Sequence, residues 1–223
     1  MKIFVVIPAY NEAKTIVQVI QDIKKHIQNI IVVDDGSKDR TAQLAKEQKA
    51  IVYSHLINRG LGGALATGIK AALNHEADII LTFDADGQHQ AEDIPKMIKP
   101  IVNSEADVVI GSRMLENNKM PWHRKMAVKI GNLITRFLFG AYTSDSQSGL
   151  RAFNKKAASS LRLVTNKMEV SSEIIKEIKR QNLRLKEIPI KAIYTDYSLS
   201  KGQNFFVGLK TAIKLLILRF RLK

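Results

Sequence analysis

The distribution of apolar residues along the first half of the chain predicts alternating strands and helices. Four short runs are apolar at nearly every position and rich in β-branched residues: 3–7, 30–33, 79–83 and 108–110. Runs that are apolar on both faces are typical of strands buried in a parallel sheet. Helical spacing is seen between them, at Ile16, Val19, Ile20, Ile23 and Ile27 and over residues 64–73. The pattern predicts an α/β doubly wound fold over residues 1–112.

The second half has a different pattern and a strong positive charge. Beyond Gly111 the alternation weakens, and basic helices with short strands such as 185–190 take over. The net charge is +14, residues 113–136 hold six basic side chains against the single acid Glu116, and no acid follows Asp196. This balance predicts a polyanionic partner: a nucleic acid, an anionic lipid surface or a phosphorylated substrate.

Composition also limits the classes of protein. The chain has 223 residues, enough for one α/β domain, and no cysteine, which excludes disulfides and thiolate metal sites. The opening segment MKIFVVIPAYNE turns polar too soon for a signal peptide. No stretch reaches the roughly 18 uncharged apolar residues of a membrane-spanning helix.

Polar motifs follow the first two predicted strands, where ligands bind in such folds. The first strand ends in Pro-Ala-Tyr-Asn-Glu, residues 8–12, which suits either a binding site or a strand stop with a helix cap. The second ends in Asp34-Asp35-Gly36-Ser37. These two acids could accept hydrogen bonds from ribose hydroxyls or base amines, or could form a polar turn with Asp39 or Thr41 capping the next helix.

The motif Asp84-Ala85-Asp86-Gly87-Gln88-His89 is the clearest candidate for chemistry. It follows an apolar strand directly and presents two carboxylates one residue apart. Magnesium typically uses one or two carboxylates plus substrate phosphates, so we predict a divalent-cation site in preference to a solvated acidic turn. A glycine-rich segment, residues 58–64, could approach a phosphate, but a plain loop explains it better.

Two later motifs carry charge without a definite role. Gly111-Ser112-Arg113 follows a predicted strand and offers a cation near the same sheet edge. Residues 145–151, Asp-Ser-Gln-Ser-Gly-Leu-Arg, form a polar loop leading into a short strand. Spacing alone does not separate function from turn chemistry at either place.

Taken in order, these motifs resemble those of family 2 glycosyltransferases of the GT-A fold, and within it the dolichyl-phosphate and polyprenyl-phosphate sugar synthases. The resemblance runs from residues 7–12 to the pair Ser200-Lys201. It implies a mostly parallel sheet flanked by helices. It also implies a catalytic domain over 1–200, with a nucleotide-sugar half at 1–112 and an acceptor half at 113–200.

The resemblance implies roles for individual residues. The nucleotide-sugar donor would be bound by Pro8, Tyr10, Glu12, Val33, Asp35, Asp84, Ala85, Asp86 and Lys201. Asp84, Asp86 and Gln88 would hold Mg²⁺ or Mn²⁺. Asp86, Arg113 and Arg124 would be catalytic, with Arg113 and Arg124 acting on phosphates. Where the family often has a basic residue six positions before Lys201, this chain has Thr195.

The implied reaction moves a hexose from a GDP-mannose or UDP-glucose type of donor to a polyprenyl or dolichyl phosphate, with inversion. An ionised acceptor phosphate needs no strong general base. A family member with a soluble or protein acceptor remains an alternative, as does a non-enzymatic nucleic-acid-binding module, although no basic motif interleaved with aromatic residues is present. We expect no nucleic-acid partner.

The end of the chain predicts contact with a membrane. Residues 201–223 combine apolar residues with lysines and arginines too frequent for a spanning helix but tolerated by an amphipathic interfacial one. A helix packed on the catalytic domain is the alternative. We therefore expect a cytoplasmic, peripheral protein on the cytoplasmic face of the membrane, and the resemblance allows a separate membrane protein as a further partner.

Overall fold

The strands and helices were located in a computed structural model. It describes residues 1–116 and 122–193, except for the side chains of residues 123, 124, 127 and 138. The strands described are β1 (Ile3–Ala9), β2 (Ile30–Asp34), β3 (Ile51–Ser54), β4 (Ile79–Thr82), β5 (Val108–Ser112), β6 (Arg151–Asn154) and β7 (Leu185–Pro189). The helices described are α1 (Ile16–Lys24), α2 (Thr41–Glu47), α3 (Leu61–Asn74), α4 (Ile94–Val102), α5 (Trp122–Phe139), α6 (Lys155–Ser160) and α7 (Val170–Arg180), with a 3₁₀ turn at Ala91–Asp93.

These strands form one mixed sheet in the order β3-β2-β1-β4-β6-β5-β7. All neighbours are parallel except β6, which runs antiparallel between β4 and β5. The predicted fold class, a mostly parallel sheet flanked by helices, is confirmed. The predicted helix at 201–223 lies outside the described residues.

Both faces of the sheet are buried at β1, β2, β4 and β5, which explains the unbroken apolar runs. In β1, Val5 and Ile7 pack into the core beneath α1 and α4, whereas Phe4 and Val6 pack into the core beneath α3, α6 and α7. Alternate residues of one strand point to opposite faces, so burial on both sides requires an apolar residue at every position.

Two features of the sheet were not expected from the sequence pattern. β3 was not predicted; it is a four-residue edge strand whose side chains are mostly exposed, so it has no apolar run to mark it. β6 inserts between β4 and β5, so strands from both sides of residue 112 share one sheet. The proposed division into halves at that residue stays a prediction.

Candidate active site

A cleft of about 270 Å³ opens where β1 and β4 end. Three acids line it, Glu12, Asp84 and Asp86, together with one cation, Arg151. The remaining lining residues are Pro8, Leu61, Leu65, Ala85, Gln147, Gly149, Met168 and Ser171. The structure thus brings together five of the residues that the family resemblance had assigned to the donor: Pro8, Glu12, Asp84, Ala85 and Asp86.

The Asp84 carboxylate is held from two sides. His89 Nε2 lies 3.1 Å from Asp84 Oδ2, and an ideal Cβ at Gly149 would lie 2.0 Å from the same oxygen. Burial raises the pKa of Asp84, but the hydrogen bond and electrostatic interaction with His89 and the positive charges of Arg151 and Arg113 outweigh it, so the pKa lies below its ordinary value. Asp84 is therefore a fixed anion at neutral pH.

Replacing Gly149 with Ala is expected to displace this carboxylate. The new Cβ would overlap both Asp84 oxygens, at 2.0 and 2.1 Å, and so must push the carboxylate or the 145–151 loop aside. We expect a loss of at least about tenfold in kcat/KM with a lowered melting temperature. Gly131→Ala in α5 is the matched control, since its Cβ would lie no nearer than 3.8 Å to Gln147, and activity and melting temperature equal to those of this control would contradict the prediction.

Asp86 differs from Asp84 in its protonation. Its Oδ1 accepts a hydrogen bond from the Gln88 backbone N–H at 3.0 Å, and its Oδ2 accepts one from Gln88 Nε2 at 2.7 Å. Burial and the negative charge of Asp84 raise the pKa of Asp86 to about 6, although the Gln88 hydrogen bond opposes this. A bound cation would relieve the repulsion between the two carboxylates.

The raised pKa predicts how the stability of the metal-free protein depends on pH. The folded state holds the Asp86 proton more tightly than the unfolded state, whose pKa is near 3.8. The stabilising contribution of the protonated form is full below that value and is lost as the pH rises through about 6. Denaturant unfolding in chelator, from about pH 4 to about pH 7, should therefore show Asp86→Asn gaining stability over wild type. A difference between the two proteins that does not change with pH would refute this.

The donor atoms at the cleft fit a hard divalent cation. Asp84 and Asp86 supply carboxylate oxygens, and the amide of Gln88, which donates from Nε2 to Asp86, carries an oxygen of the type that such cations accept as a ligand. Among the described residues, no three His, Asp or Glu side chains form a complete cation cage. Two carboxylates and an amide would leave coordination positions for substrate phosphates, as Mg²⁺ sites commonly do.

Arg151 is the functional candidate that the sequence analysis left without a role. Its side chain is 1% exposed, yet it lines the cleft. Its Nη2 donates to Ser146 O at 3.1 Å, and its Nε has no hydrogen-bond partner among the described residues. Burial lowers the pKa of Arg151 to about 10, which still leaves it charged at neutral pH. The sequence offered one signal for this role, an arginine at the start of a predicted strand. Burying a guanidinium group costs free energy unless an anionic group lies nearby.

Arg113 is close to the cleft but held by another residue. Its Nε and Nη2 donate to the two oxygens of Asp145 at 2.7 and 2.8 Å, and Asp145 is fully buried. Arg113 therefore forms a bidentate ion pair that fixes the start of the 145–151 loop. The structure does not place Arg113 among the residues that line the cleft.

In the motif after β2, the carboxylate of Asp35 binds groups of the protein's own loops. The Asp35 carboxylate accepts hydrogen bonds from the backbone N–H groups of Arg59 and Gly60 at 2.9 and 2.7 Å, and His55 Nδ1 lies 2.7 Å from it. Val33 is fully buried in β2, whereas the Tyr10 side chain is 41% exposed. Of these predicted donor residues, Tyr10 has the most surface to offer a ligand, and the roles of Asp35 and Val33 stay predictions.

The glycine-rich segment before α3 accommodates a neighbouring loop. Gly62 N donates to Asn166 O at 2.9 Å, and a Cβ at Gly62 would lie 1.8 Å from Thr165 O. Gly60 has φ +85°, and its Cβ would lie 2.3 Å from Asn166 O. These close approaches bring the loop that carries Met168 against α3, and Met168 lines the cleft together with Leu61 and Leu65 of that helix.

Two of the predicted site residues fall at the limits of the described chain. Lys201 and the side chain of Arg124 lie outside the described residues. The backbone of Arg124 belongs to α5. The described chain ends at Ile193, whose N–H donates to Gln88 O at 2.9 Å, so the last described residue lies beside the acidic motif.

The mostly parallel sheet flanked by helices, with paired carboxylates at its carboxyl edge, has the architecture of the GT-A fold. Glucosyl-3-phosphoglycerate synthase from Mycobacterium tuberculosis, solved with Mn²⁺, UDP and glucosyl-3-phosphoglycerate, shares this fold: the TM-score is 0.76 at 22% identity, over 98% of this chain and 79% of that one. Residues 4–162 match the model of glycosyl transferase family 2. The chain belongs to this family and is a glycosyltransferase.

Two relatives are similar over nearly their whole length. The UDP-N-acetylglucosamine–dolichyl-phosphate N-acetylglucosaminyltransferase of Methanococcus voltae is 43% identical, over 97% of this chain and 96% of the relative. The undecaprenyl-phosphate mannosyltransferase of Micrococcus luteus is 29% identical, over 93% and 90%. The predicted resemblance to polyprenyl-phosphate sugar transferases is confirmed. Within the described ranges, no helix combines the length and apolarity needed to cross a bilayer.

Proposed function

We propose that this glycosyltransferase moves a sugar from a nucleoside-diphosphate donor to a polyprenyl or dolichyl phosphate, with inversion at the sugar carbon. The observation that carries the proposal is the cleft at the end of β4, where Asp84 and Asp86 meet the buried cation Arg151. The 43% identity to a transferase named for a UDP-sugar and dolichyl phosphate supports this donor and acceptor class.

Asp84, Asp86 and Gln88 would hold Mg²⁺ or Mn²⁺, which when bound would supply Lewis-acid stabilisation for the departing diphosphate. His89 and Gly149 fix the orientation of the Asp84 carboxylate, and Gln88 fixes that of Asp86. Arg151 adds a permanent positive charge at the cleft, where negative charge develops as the glycosidic bond breaks. Pro8, Tyr10 and Glu12 would contact the nucleoside.

The acceptor phosphate would itself be the nucleophile. Its second pKa is about 6, so it is largely ionised at neutral pH and needs positioning more than deprotonation. Direct attack on the face opposite the diphosphate gives inversion. Arg124 and Lys201 would bind phosphates; Lys201 follows Ile193 by eight residues, a span that reaches up to about 28 Å when extended.

We also propose where the protein works. A polyprenyl phosphate keeps its hydrocarbon chain in the bilayer, so the cleft must come to the membrane surface. The nucleotide sugar is charged and does not cross a bilayer unaided, so the enzyme would meet it on the cytoplasmic face as a peripheral protein. The basic segment 201–223 would contribute an interfacial helix there.

The test is product formation by the full chain with a donor panel and three acceptors. The donors are UDP-N-acetylglucosamine, UDP-glucose and GDP-mannose; the acceptors are a polyprenyl phosphate, the corresponding polyprenol and 3-phosphoglycerate. We expect product only with the polyprenyl phosphate, in Mg²⁺ or Mn²⁺ and not in excess chelator. Product on the free alcohol or on 3-phosphoglycerate alone would overturn the acceptor, and full activity in chelator would overturn the metal.

Replacing Arg124 with Ala is expected to raise the KM for polyprenyl phosphate more than the KM for the donor. Residues 113–136 are strongly basic, and an anionic acceptor beside a second anion needs such screening. We expect a rise of about tenfold, typical of a lost charged hydrogen bond. Lys70→Ala, an exposed change on α3, is the control. Equal rises in both KM values would argue against a separate acceptor site.

A further inference from the structure

A buried carboxylate on α7 holds the loop that joins α6 to α7, residues 161–169. Glu173 is only 5% exposed and lies one turn into the helix. Its Oε1 accepts a hydrogen bond from Val164 N at 3.0 Å, and its Oε2 accepts hydrogen bonds from Thr165 N at 3.0 Å and from Thr165 Oγ1 at 2.6 Å. Burying a carboxylate costs free energy unless donors surround it, so these three hydrogen bonds fix the middle of the loop to the helix.

The segment that Glu173 holds is docked in turn on α3. Asn166 O accepts a hydrogen bond from Gly62 N at 2.9 Å. Gly60 and Gly62 have no side chain that would keep the loop away, and a Cβ at Gly62 would overlap Thr165 O. Glu173 therefore acts through Thr165 and Asn166 on the distance between α7 and the first turn of α3.

The two helices present apolar side chains to the cleft where this contact is made. Leu61 and Leu65 come from α3, and Met168 follows Asn166 by two residues. We call these three side chains the apolar wall of the cleft; the acids Asp84 and Asp86 line the cleft as well, at the end of β4. Because the wall spans both helices, the distance between α3 and α7 sets its shape.

We propose that Glu173 is a positioning residue that holds the apolar wall in place against the sugar of the donor. This role rests on the proposed function, in which the donor diphosphate binds at Asp84 and Asp86. The sugar is bonded directly to the diphosphate, so it lies in the same cleft when the donor is bound. A hexose ring has faces of C–H groups as well as hydroxyls, and an apolar wall suits such a face.

The test compares the binding of a nucleotide sugar with the binding of the nucleoside diphosphate alone. Isothermal titration of the full chain in Mn²⁺ gives the Kd of UDP-N-acetylglucosamine, UDP-glucose or GDP-mannose, whichever the wild type binds, and the Kd of UDP or GDP. Glu173→Gln puts an amide N–H₂ where the loop needs an acceptor. We expect the Kd of the nucleotide sugar to rise at least about fivefold, the scale of one or two lost methylene contacts, and that of the nucleoside diphosphate to change less than about twofold.

Glu177→Gln is the matched control. Glu177 lies one turn further along the same face of α7, is 3% exposed and accepts a hydrogen bond from Arg162 N at 3.2 Å. It thus holds the same loop at the end further from Met168. The control variant should lower the melting temperature, as Glu173→Gln does, while leaving both Kd values unchanged.

Two milder variants make the test independent of a folding defect. Thr165→Val removes only the Oγ1 hydrogen bond to Glu173 and should raise the Kd of the nucleotide sugar in the same direction by less. Gly62→Ala disturbs the same contact from the side of α3. Because Gly62→Ala and Glu173→Gln act on one contact, their effects on this Kd should not add in the double variant.

The outcomes separate this role from the proposed function. Equal rises in the Kd of the nucleotide sugar and of the nucleoside diphosphate would overturn the role of Glu173, as would no rise in the Glu173 and Thr165 variants. A sugar-selective loss in the Glu177 variant, or additive effects of Gly62→Ala and Glu173→Gln, would also overturn it. A wild-type protein that binds none of the three donors would instead overturn the proposed function, and the sugar contact with it.

Discussion

Replacing Asp86 with Asn is expected to lower kcat/KM by at least about a thousandfold, the largest effect of any single substitution considered for this protein. Asp86 lines the cleft together with Asp84 and Glu12, and the asparagine keeps its size while removing its charge. A neutral amide binds a divalent cation far more weakly than a carboxylate does. Both the cation and the stabilisation of the departing diphosphate would be lost together.

The same substitution should leave the fold intact, which separates a chemical loss from a structural one. In the metal-free protein, Asp86 is disfavoured as an anion by burial and by Asp84. The variant should therefore be at least as stable as wild type at neutral pH in chelator. Initial rates, Mn²⁺ titration and thermal unfolding together test this. Asp22→Asn, at a surface ion pair with Lys25, is the control for loss of a carboxylate. Near-normal turnover in the Asp86 variant would refute the metal assignment.

Replacing Arg151 with Met is expected to lower kcat/KM by about a hundredfold or more. The guanidinium is the cation that the cleft lining offers against Glu12, Asp84 and Asp86 among the described residues. Without it, three carboxylates remain with less positive charge near them, and a donor diphosphate would meet a more negative cleft. Because Met fills a similar volume, the melting temperature should change much less than activity does.

The chemical role of Arg151 can be distinguished from a packing role. Arg151→Lys keeps the charge and should recover part of the activity, whereas Arg151→Met should not. The donor KM should rise in the Met variant, and the pKa of Asp84, followed by NMR, should rise because the positive charge of Arg151 helps to lower it. Arg184→Met, which breaks an ion pair with Asp107 just before β5, is the control. If Lys and Met variants lose stability and activity in parallel, Arg151 is only a packing residue.

The sequence pattern was most informative where burial is simple. Strands β1, β2, β4 and β5 are apolar on both faces. Their existence as strands and their approximate bounds could therefore be predicted from the positions of apolar residues along the chain. The side chains of the edge strand β3 are mostly exposed to solvent, so β3 lacks the unbroken apolar run that marks the buried strands. The acidic motif was recognisable for a similar reason, since a buried strand followed by two carboxylates has few structural explanations.

The individual roles of motif residues were less predictable. The carboxylate of Asp35 accepts hydrogen bonds from the 59–60 backbone, contacts that the sequence did not indicate, and its role in donor binding stays a prediction. Arg113 forms a bidentate pair with Asp145, a residue 32 positions away, and its role in binding phosphates stays a prediction. Such pairings depend on which loops meet in space, and residue type at one position does not record them.

The sequence by itself determined that this chain folds as an α/β glycosyltransferase with a carboxylate motif at the end of a buried strand, because local periodicity and ordered motifs specify those features. Only the tertiary structure decided what completes the site. The antiparallel insertion of β6 between β4 and β5 carries Arg151 and Gly149 to Asp84, across 65 or more positions of sequence. The order of strands in a sheet depends on how many elements pack together. It can therefore bring into contact side chains that are far apart in the sequence, and the local sequence around either residue does not indicate that contact.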